Sequence, residues 1–309
     1  MAATFTKSLF RIQYVSDLHL EHYDKLAFPL IVKPCARYLA LAGDIGIPGT
    51  KIYKSFMNYV SSNWDRVFYV AGNNEYRQSE KKQWQARTPR TFDETHLEIQ
   101  NTISKYKNIS FLDHDSPSVH LCQENAVIIG STLWSRIPES QHSMAQASMP
   151  EYNRIPYREP KSGLLRALRP IDTNNWHRRD RYTLEAQIEY WKLASNAKLF
   201  VLTHHMPSFS LISPQYADYA FNHAYASSCD HLFDNRVAAW IYGHSHVSGV
   251  AHMRGTQCVV NARGYPNQIV PGFMPNAWIE FDTRAEEETA ENYPELAAAA
   301  TGVRAPSGD

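Results

Sequence analysis

Residues 11–19 have the sequence RIQYVSDLH, an apolar-rich run that stops at Asp17 and His19. Residues 38–44, YLALAGD, repeat this arrangement and stop at Asp44. Short apolar runs bounded by turn residues are typical of buried strands, and in layered α/β folds functional sites gather where such strands end. The two stretches therefore predict strands of one sheet with polar side chains at its edge.

Three further apolar runs end in the same kind of residue. They are 67–70 before Asn73 and Asn74, 198–202 before His204 and His205, and 237–241 before His244 and His246. Apolar residues at helical spacing predict helices at 53–60, 97–106 and 182–193. Shorter strands are expected at 109–112, 119–121, 126–129, 250–253, 257–260 and 277–281. Strands alternating with helices in this order indicate an α/β fold in which helices cover a sheet.

The polar ends have a pattern that suits a metal centre. Side chains at positions i and i+2 of an extended segment point the same way, so Asp17 and His19 are expected to converge, as are His244 and His246. Glycines at 43, 72 and 243 let the backbone turn where the strands end. Carboxylate, amide and imidazole groups together suit Zn, Fe or Mn better than Ca. Any one of these clusters alone would more often be a turn.

The order of the five motifs resembles that of the calcineurin-like metallophosphoesterases, whose pattern is D-x-H, G-D, G-N-H-[E/D], a histidine after a strand, and G-H-x-H. The resemblance covers roughly residues 11–282. It implies a sandwich of two mixed β-sheets flanked by helices, with two divalent transition metal ions (Mn, Fe or Zn, with Mn favoured) at one edge. It also implies hydrolysis of a phosphomonoester or phosphodiester by in-line attack of a metal-bound hydroxide.

The same resemblance assigns the metal ligands residue by residue. The first metal would be held by Asp17, His19 and His246, the second by Asn73, His204 and His244, with Asp44 bridging the two ions.

Position 74 departs from the family pattern, because Asn74 stands where the family has the histidine often assigned as the proton donor to the leaving group. An amide can donate a hydrogen bond to phosphate but cannot deliver a proton near neutral pH. Three explanations are open: a substitution introduced to trap a substrate, a natural residue with another group as the acid, or a protein that binds phosphoesters and barely cleaves them.

The stretch 131–176 has no sustained period, is rich in proline and arginine, and is expected to form an inserted cap or loop within a phosphoesterase domain of residues 1–284. Its cations Arg154 and Arg158 are expected to contact substrate, although charged loops are often simply solvated. His205 is expected either to line the pocket, and so to contact substrate, or to be a core histidine. The acidic and alanine-rich tail, 285–309, is expected to be disordered.

Composition limits the remaining classes of function. The 309 residues carry 31 basic and 31 acidic side chains, which argues against a stable nucleic-acid partner. No apolar run is long enough to span a membrane, and four scattered cysteines are typical of reduced thiols, so a cytoplasmic protein is expected. The expected partner is a small phosphoester, with nucleotides among the candidates. The competing interpretation is a non-catalytic phosphoester-binding or scaffold protein on the same fold, which would be expected to have lost ligands.

Overall fold

The computed structural model describes residues 9–77 and 89–283. Its strands are β1 Leu9–Val15, β2 Tyr38–Ala42, β3 Arg66–Val70, β4 Ile109–Phe111, β5 Ser118–Leu121, β6 Ala126–Ser131, β7 Pro156–Arg158, β8 Leu165–Ala167, β9 Lys198–Thr203, β10 Val237–Tyr242, β11 Ser248–Met253, β12 Thr256–Asn261 and β13 Trp278–Asp282. Its α-helices are α1 Lys51–Asn63, α2 Phe92–Ile103, α3 His142–Ser148, α4 Glu151–Arg154 and α5 Pro170–Ala194.

Two large mixed sheets form the body of the fold. The first has the order β13-β1-β2-β3-β4 and the second the order β11-β12-β10-β9-β6-β5. In both sheets the central strands are parallel, whereas β13, β11 and β5 pair antiparallel at the margins. The parallel strands β1, β2, β3, β9 and β10 all end at the predicted site residues, because each strand runs directly into one of the polar motifs.

The sandwich has three apolar layers. Phe68 on β3 and Phe200 on β9 represent the layer between the two sheets, where both rings are fully or almost fully buried. Phe56 on α1 packs in a second layer on the outer face of the first sheet. Leu184 and Ile188 of α5 pack in a third layer on the second sheet. The predicted α/β sandwich of two mixed sheets flanked by helices is therefore confirmed.

The helices begin where local capping favours them. The hydroxyl of Thr91 accepts from the backbone N–H of Glu94, and the Glu94 carboxylate accepts from the backbone N–H of Thr91, so α2 starts with a capping box. The predicted helix 97–106 corresponds to α2 but was placed about one turn too late.

The interpretation of 131–176 as a stretch without regular structure was wrong in detail. It contains α3, α4, the hairpin β7–β8 and the start of α5. The sequence predicted only 182–193 of α5, because the first turns of that helix bury polar side chains, including Asp172, His177 and Asp180, instead of an apolar stripe. The proposed boundaries of the cap stay a prediction, and the tail 285–309 lies outside the described residues.

The prediction that side chains at positions i and i+2 converge assumed an extended backbone. The turns after the strands are not extended. Asp17, His19, Asp44, His244 and His246 all have positive φ values between 47° and 69°. Residues other than glycine rarely adopt this left-handed conformation, and such strain is concentrated at functional sites. Asp17 and His19 do converge, but through a tight turn, whereas His244 and His246 point into different clusters.

Gly43 is a turn residue whose replacement should be disruptive. It has a φ of +83°, and a Cβ at this position would lie 2.7 Å from both His204 Cγ and the backbone nitrogen of Gly72. Gly163 has a similar φ of +70°, but a Cβ there would meet nothing within 4 Å.

We therefore expect Gly43→Ala to lower the free energy of unfolding by at least about 1 kcal/mol more than Gly163→Ala, because both add backbone strain but only Gly43→Ala adds a steric clash. Denaturant unfolding of both variants measures the difference. Equal losses would show that the space around Gly43 does not constrain the turn.

Candidate metal centre and cavity

Two groups of potential metal ligands lie side by side where the strands end. The first cluster consists of Asp17, His19 and His246, and the second of Asp44, His204 and His244. In each cluster the potential ligand atoms lie within 4.8 Å of one another. The structure thus brings together residues that are as far as 229 positions apart in the chain, from both sheets.

Asp44 lies between the two clusters. Its Oδ1 is 3.4 Å from His204 Nε2, and its Oδ2 is 3.9 Å from His19 Nε2. One carboxylate oxygen therefore faces each cluster, which is the arrangement needed to bridge two ions. Asn73 joins the second cluster, since its Oδ1 is 3.0 Å from His204 Nε2.

Three of the histidines are oriented by hydrogen bonds from their Nδ1 atoms. His204 Nδ1 donates to the backbone carbonyl of Ala42 at 2.8 Å, and a carbonyl can only accept. By the same reasoning His246 Nδ1 donates to Gln268 Oε1 at 2.7 Å, and His19 Nδ1 donates to Glu21 Oε1 at 3.2 Å. With the proton on Nδ1, each Nε2 lone pair is directed into its cluster, as metal-ligating histidines require.

Acceptor atoms consequently face one another. His19 Nε2 and His246 Nε2 lie 3.0 Å apart, and each carries a lone pair when Nδ1 holds the proton. His244 Nε2 is buried and has no hydrogen-bond partner among the described residues. Lone pairs opposed at such distances repel each other unless a cation lies between them. The donor set of imidazole, carboxylate and amide oxygen therefore fits divalent transition metals.

Glu75, which completes the G-N-N-E motif, holds the two turns together. Its carboxylate accepts hydrogen bonds from the backbone nitrogens of Gly72, Asp44 and Ile45 and from the Tyr69 hydroxyl, at 2.7 to 3.0 Å. These bonds connect the turn after β2 to the turn after β3. Glu75 therefore places Asp44 and Asn73 relative to each other.

Electrostatics favours the metal-binding protonation states of two of the ligands, Asp44 and His244. Burial by itself would raise the pKa of Asp44, but His204, His19 and Arg77 hold it well below its usual range. Burial and the neighbouring histidines lower the pKa of His244, so this imidazole is neutral near pH 7. Ionised carboxylates and neutral imidazoles are the metal-binding forms of these side chains.

Asn74 is buried next to Asp44. Its backbone nitrogen donates to Asp44 Oδ1 at 2.8 Å, and its side-chain amide donates to Asp44 Oδ2. Asn74 also lines the cavity described below. Its amide therefore stabilises the carboxylate between the clusters, a contact that the sequence did not predict.

Two site residues were missed in the sequence. Glu151 on α4 accepts from Asn73 Nδ2 and from the guanidinium of Arg77, and only 4% of its surface is exposed. Because Glu151 takes the Asn73 N–H₂ group, the Asn73 oxygen is left to face His204. The position of Arg77 just after the G-N-N-E motif was the only sequence feature that could have indicated its place in the site. No sequence feature indicated that Glu151 lies there.

A cavity of about 580 Å³ opens above the clusters, and its floor includes Asp44, Asn73, His244 and His246. This volume is within the range of small-molecule sites. Residues 148–151 of the predicted cap form part of its wall.

Of the predicted substrate contacts, Asn74 lines this cavity, but Arg154, Arg158 and His205 do not. Arg158 is exposed and donates to the backbone carbonyl of Gly163. The lining cation is Arg77 instead, because the cap presents Glu151 and not its arginines to the site.

His205 is 2% exposed and packs against Trp134 and His244. Burial, followed by the charge of His204, lowers the pKa of His205 to about 3. Of the two expectations for His205, the structure favours the core histidine.

A two-sheet sandwich with clusters of potential metal ligands at one edge is the arrangement of the metallophosphoesterases. The chain belongs to the calcineurin-like phosphoesterase family, whose model matches residues 10–248. The resemblance found in the sequence is therefore confirmed. In the described part of the chain, no helix is both long and apolar enough to cross a bilayer.

The chain is also similar to two individual proteins. An uncharacterized protein of Acanthamoeba polyphaga mimivirus is 29% identical over 287 residues, which cover 88% of this chain and 96% of the viral protein. The crystal structure of phosphopantetheinyl hydrolase from Mycobacterium tuberculosis superposes with a TM-score of 0.60 at 16% identity, over 84% of this chain and 92% of that one. The second similarity supports the fold alone.

Proposed function

We propose that this protein hydrolyses a small phosphoester with two divalent transition metal ions, for which manganese is the favoured identity. The observation that carries the proposal is the set of opposed acceptor atoms, in particular His19 Nε2 and His246 Nε2 at 3.0 Å. A hydrolase that works without metal ions would gain nothing from opposed acceptor atoms, whereas a metal-dependent hydrolase needs them as metal ligands. The four cysteines form no disulfides, which supports a cytoplasmic location.

Bound metals would supply positive charge for the phosphoryl oxygens and lower the pKa of the attacking water. In the overall reaction the water oxygen joins phosphorus, the bond from phosphorus to the alcohol oxygen breaks, and the alcohol takes up a proton. The chain's own contribution is to hold the ligands in place: Asp44 faces both clusters, while Glu151 orients the Asn73 amide. We propose residues 131–176 as the cap over this site, since residues 148–151 line the cavity.

The alternative function is a scaffold that binds phosphoesters without cleaving them. Two observations argue against a scaffold. Buried hydrogen bonds orient the potential ligands, and none of the expected ligands is missing from the set of Asp17, His19, Asp44, Asn73, His204, His244 and His246. Hydrolysis of bis-p-nitrophenyl phosphate and p-nitrophenyl phosphate after addition of Mn²⁺ tests the proposal and separates diesterase from monoesterase activity. Absence of both Mn²⁺ binding and hydrolysis would favour the scaffold.

Asp44→Asn should reduce Mn²⁺ binding at both clusters and abolish Mn²⁺-dependent hydrolysis, because an amide cannot supply the negative charge that faces both sites. Titration calorimetry gives the number of ions bound per chain, and turnover is measured alongside. The control is Asp115→Asn, which removes an exposed carboxylate from a separate group of acidic and histidine side chains, Asp113, His114 and Asp115. Normal ion binding in Asp44→Asn would reject the bridging role.

Glu151→Gln should weaken Mn²⁺ binding by about 10–100-fold, the usual effect of losing a group that orients a metal ligand. A glutamine can turn either its oxygen or its N–H₂ group toward Asn73, so the amide orientation is no longer fixed. Glu159→Gln in the same segment is the matched control, since Glu159 pairs with Arg166 away from the site. If Glu151→Gln changes thermal stability but leaves the Mn²⁺ dissociation constant intact, Glu151 acts only in packing.

Asn74→His tests whether position 74 limits proton delivery. A nitrophenolate leaves without protonation, whereas an alkoxide needs a proton. A histidine should therefore accelerate alkyl phosphoesters by up to about 10²–10⁴-fold and nitrophenyl esters much less. Asn74→Phe supplies a ring without a transferable proton and separates acid catalysis from bulk.

Metal content must be measured in both position-74 variants, because a histidine beside Asn73 could itself bind the ion. Equal acceleration of alkyl and nitrophenyl esters would mean that residue 74 acts through phosphate binding and not as an acid.

A further inference from the structure

One side of the cavity is an aromatic wall formed by Tyr216, Tyr219, Phe221 and Tyr225. Tyr216 is 45% exposed and Tyr219 is 46% exposed, although both are large rings in a cavity. Grouped apolar surface at the mouth of a pocket usually marks a binding surface, because burying it on a ligand is favourable. The wall itself contains none of the proposed metal ligands and none of the substrate contacts expected from the sequence.

The aromatic wall starts directly at the second cluster. The ring of Tyr225 stacks on the imidazole of His244, with centroids 4.5 Å apart and an angle of 26° between the planes. Tyr219 then meets Tyr225 edge-on at 5.9 Å. The wall is therefore continuous from the imidazole of His244 through Tyr225 to Tyr219, so a substrate whose phosphate lies at the clusters can extend its alcohol along aromatic rings.

Hydrogen bonds hold the backbone of the aromatic wall in place. Asn222 Nδ2 donates to the backbone carbonyls of Tyr216 and Ala217 at 2.8 and 3.0 Å. Met206, two residues after His204, accepts from Ser227 and donates to the carbonyl of Tyr225. The aromatic segment is thus tied to the same turn that carries a candidate metal ligand, which lowers the entropic cost of binding.

The charge of the described cavity lining disfavours a second anionic group on the substrate. Among the described residues that line the cavity, Arg77 is the one arginine or lysine, and it is paired with Glu151. Within residues 9–77 and 89–283, the cavity lining therefore offers no unpaired arginine or lysine for a second phosphate or for a carboxylate. Beyond the metal clusters it presents mainly aromatic faces and the side chains of Met149, Met206 and Ile212.

We infer that the aromatic wall selects phosphoesters whose alcohol carries an uncharged planar aromatic ring. The inference rests on the proposed phosphoesterase function and adds the class of substrate. The phosphate lies at the metal clusters, and the ring stacks on Tyr219 or Tyr216. Stacking on an exposed aromatic side chain favours a flat ring over a saturated ring of similar size and hydrophobicity.

The test compares 2-phenylethyl phosphate with 2-cyclohexylethyl phosphate, as monoesters and as methyl diesters, with glycerol phosphate as a polar reference. The two alcohols have similar leaving-group strength and differ in flatness and aromaticity. We expect kcat/KM to be about tenfold higher for the phenyl compound, mainly through a lower KM. Tyr216→Leu and Tyr219→Leu together should remove this preference, and Mn²⁺ binding, measured alongside by titration calorimetry, reports whether the metal centre is intact.

Tyr190→Leu, which changes an exposed tyrosine of α5 outside the cavity lining, is the matched control and should keep the preference. Equal kcat/KM for the phenyl and cyclohexyl compounds, or a preference that survives the double substitution, would overturn the aromatic wall as a specificity surface. Failure of the proposed function would look different, because bis-p-nitrophenyl phosphate and all of the other esters would then remain uncleaved with Mn²⁺ present.

Discussion

Opposed acceptor atoms at the end of the sandwich are the constraint around which the rest of the site is arranged. His19 and His246 direct Nε2 lone pairs at each other across 3.0 Å, and His204 faces the Asn73 oxygen at the same separation. Each of these groups is held by a partner that prevents it from turning away, such as the Ala42 carbonyl behind His204. The fold thus holds these acceptor atoms at separations that a bound metal ion would stabilise.

Maintaining that arrangement costs stability, which the apolar layers must offset. Five of the site residues adopt left-handed backbone conformations that typically cost about 1–2 kcal/mol each, and the carboxylates of Asp17, Asp44 and Glu75 are almost completely buried. The layer between the sheets and the layers under the helices supply the compensating burial. The site lies where parallel strands from both sheets end, so rigid elements rather than long loops position its ligands.

How much could be predicted from the sequence depends on how local each signal was. The residues Asp17, His19, Asp44, Asn73, His204, His244 and His246 lie shortly after apolar strands, so their gathering at one sheet edge could be predicted. The sandwich of two sheets followed only from the resemblance to the family. The predicted convergence was based on an extended backbone, and this reason was wrong, because the turns are left-handed. Left-handed turns could not be predicted, because they leave no periodic pattern in the sequence.

The contacts that the cap makes with the site could not be predicted from the sequence. Arg154 and Arg158 were chosen as the cations of the segment that might meet a phosphate, yet the side chain that the cap places at the site is Glu151, whose role depends on where α4 packs. The start of α5 was missed because its buried face carries polar side chains, including Asp172, His177 and Asp180, instead of a continuous apolar stripe.

Glu151 also links two properties of the site that would otherwise be independent. Through Asn73 it sets the orientation of an oxygen in the second cluster, and through Arg77 it neutralises the cation in the cavity lining. One carboxylate on the cap therefore influences both the second cluster and the electrostatic character of the substrate cavity. A cap that lost this carboxylate would leave Arg77 unpaired beside the clusters, where its charge would oppose cation binding and attract anions. The negative charge at position 151 therefore belongs to the metal centre as much as to the cap, which explains why an acidic side chain is buried there while the arginines of the same segment remain outside the cavity.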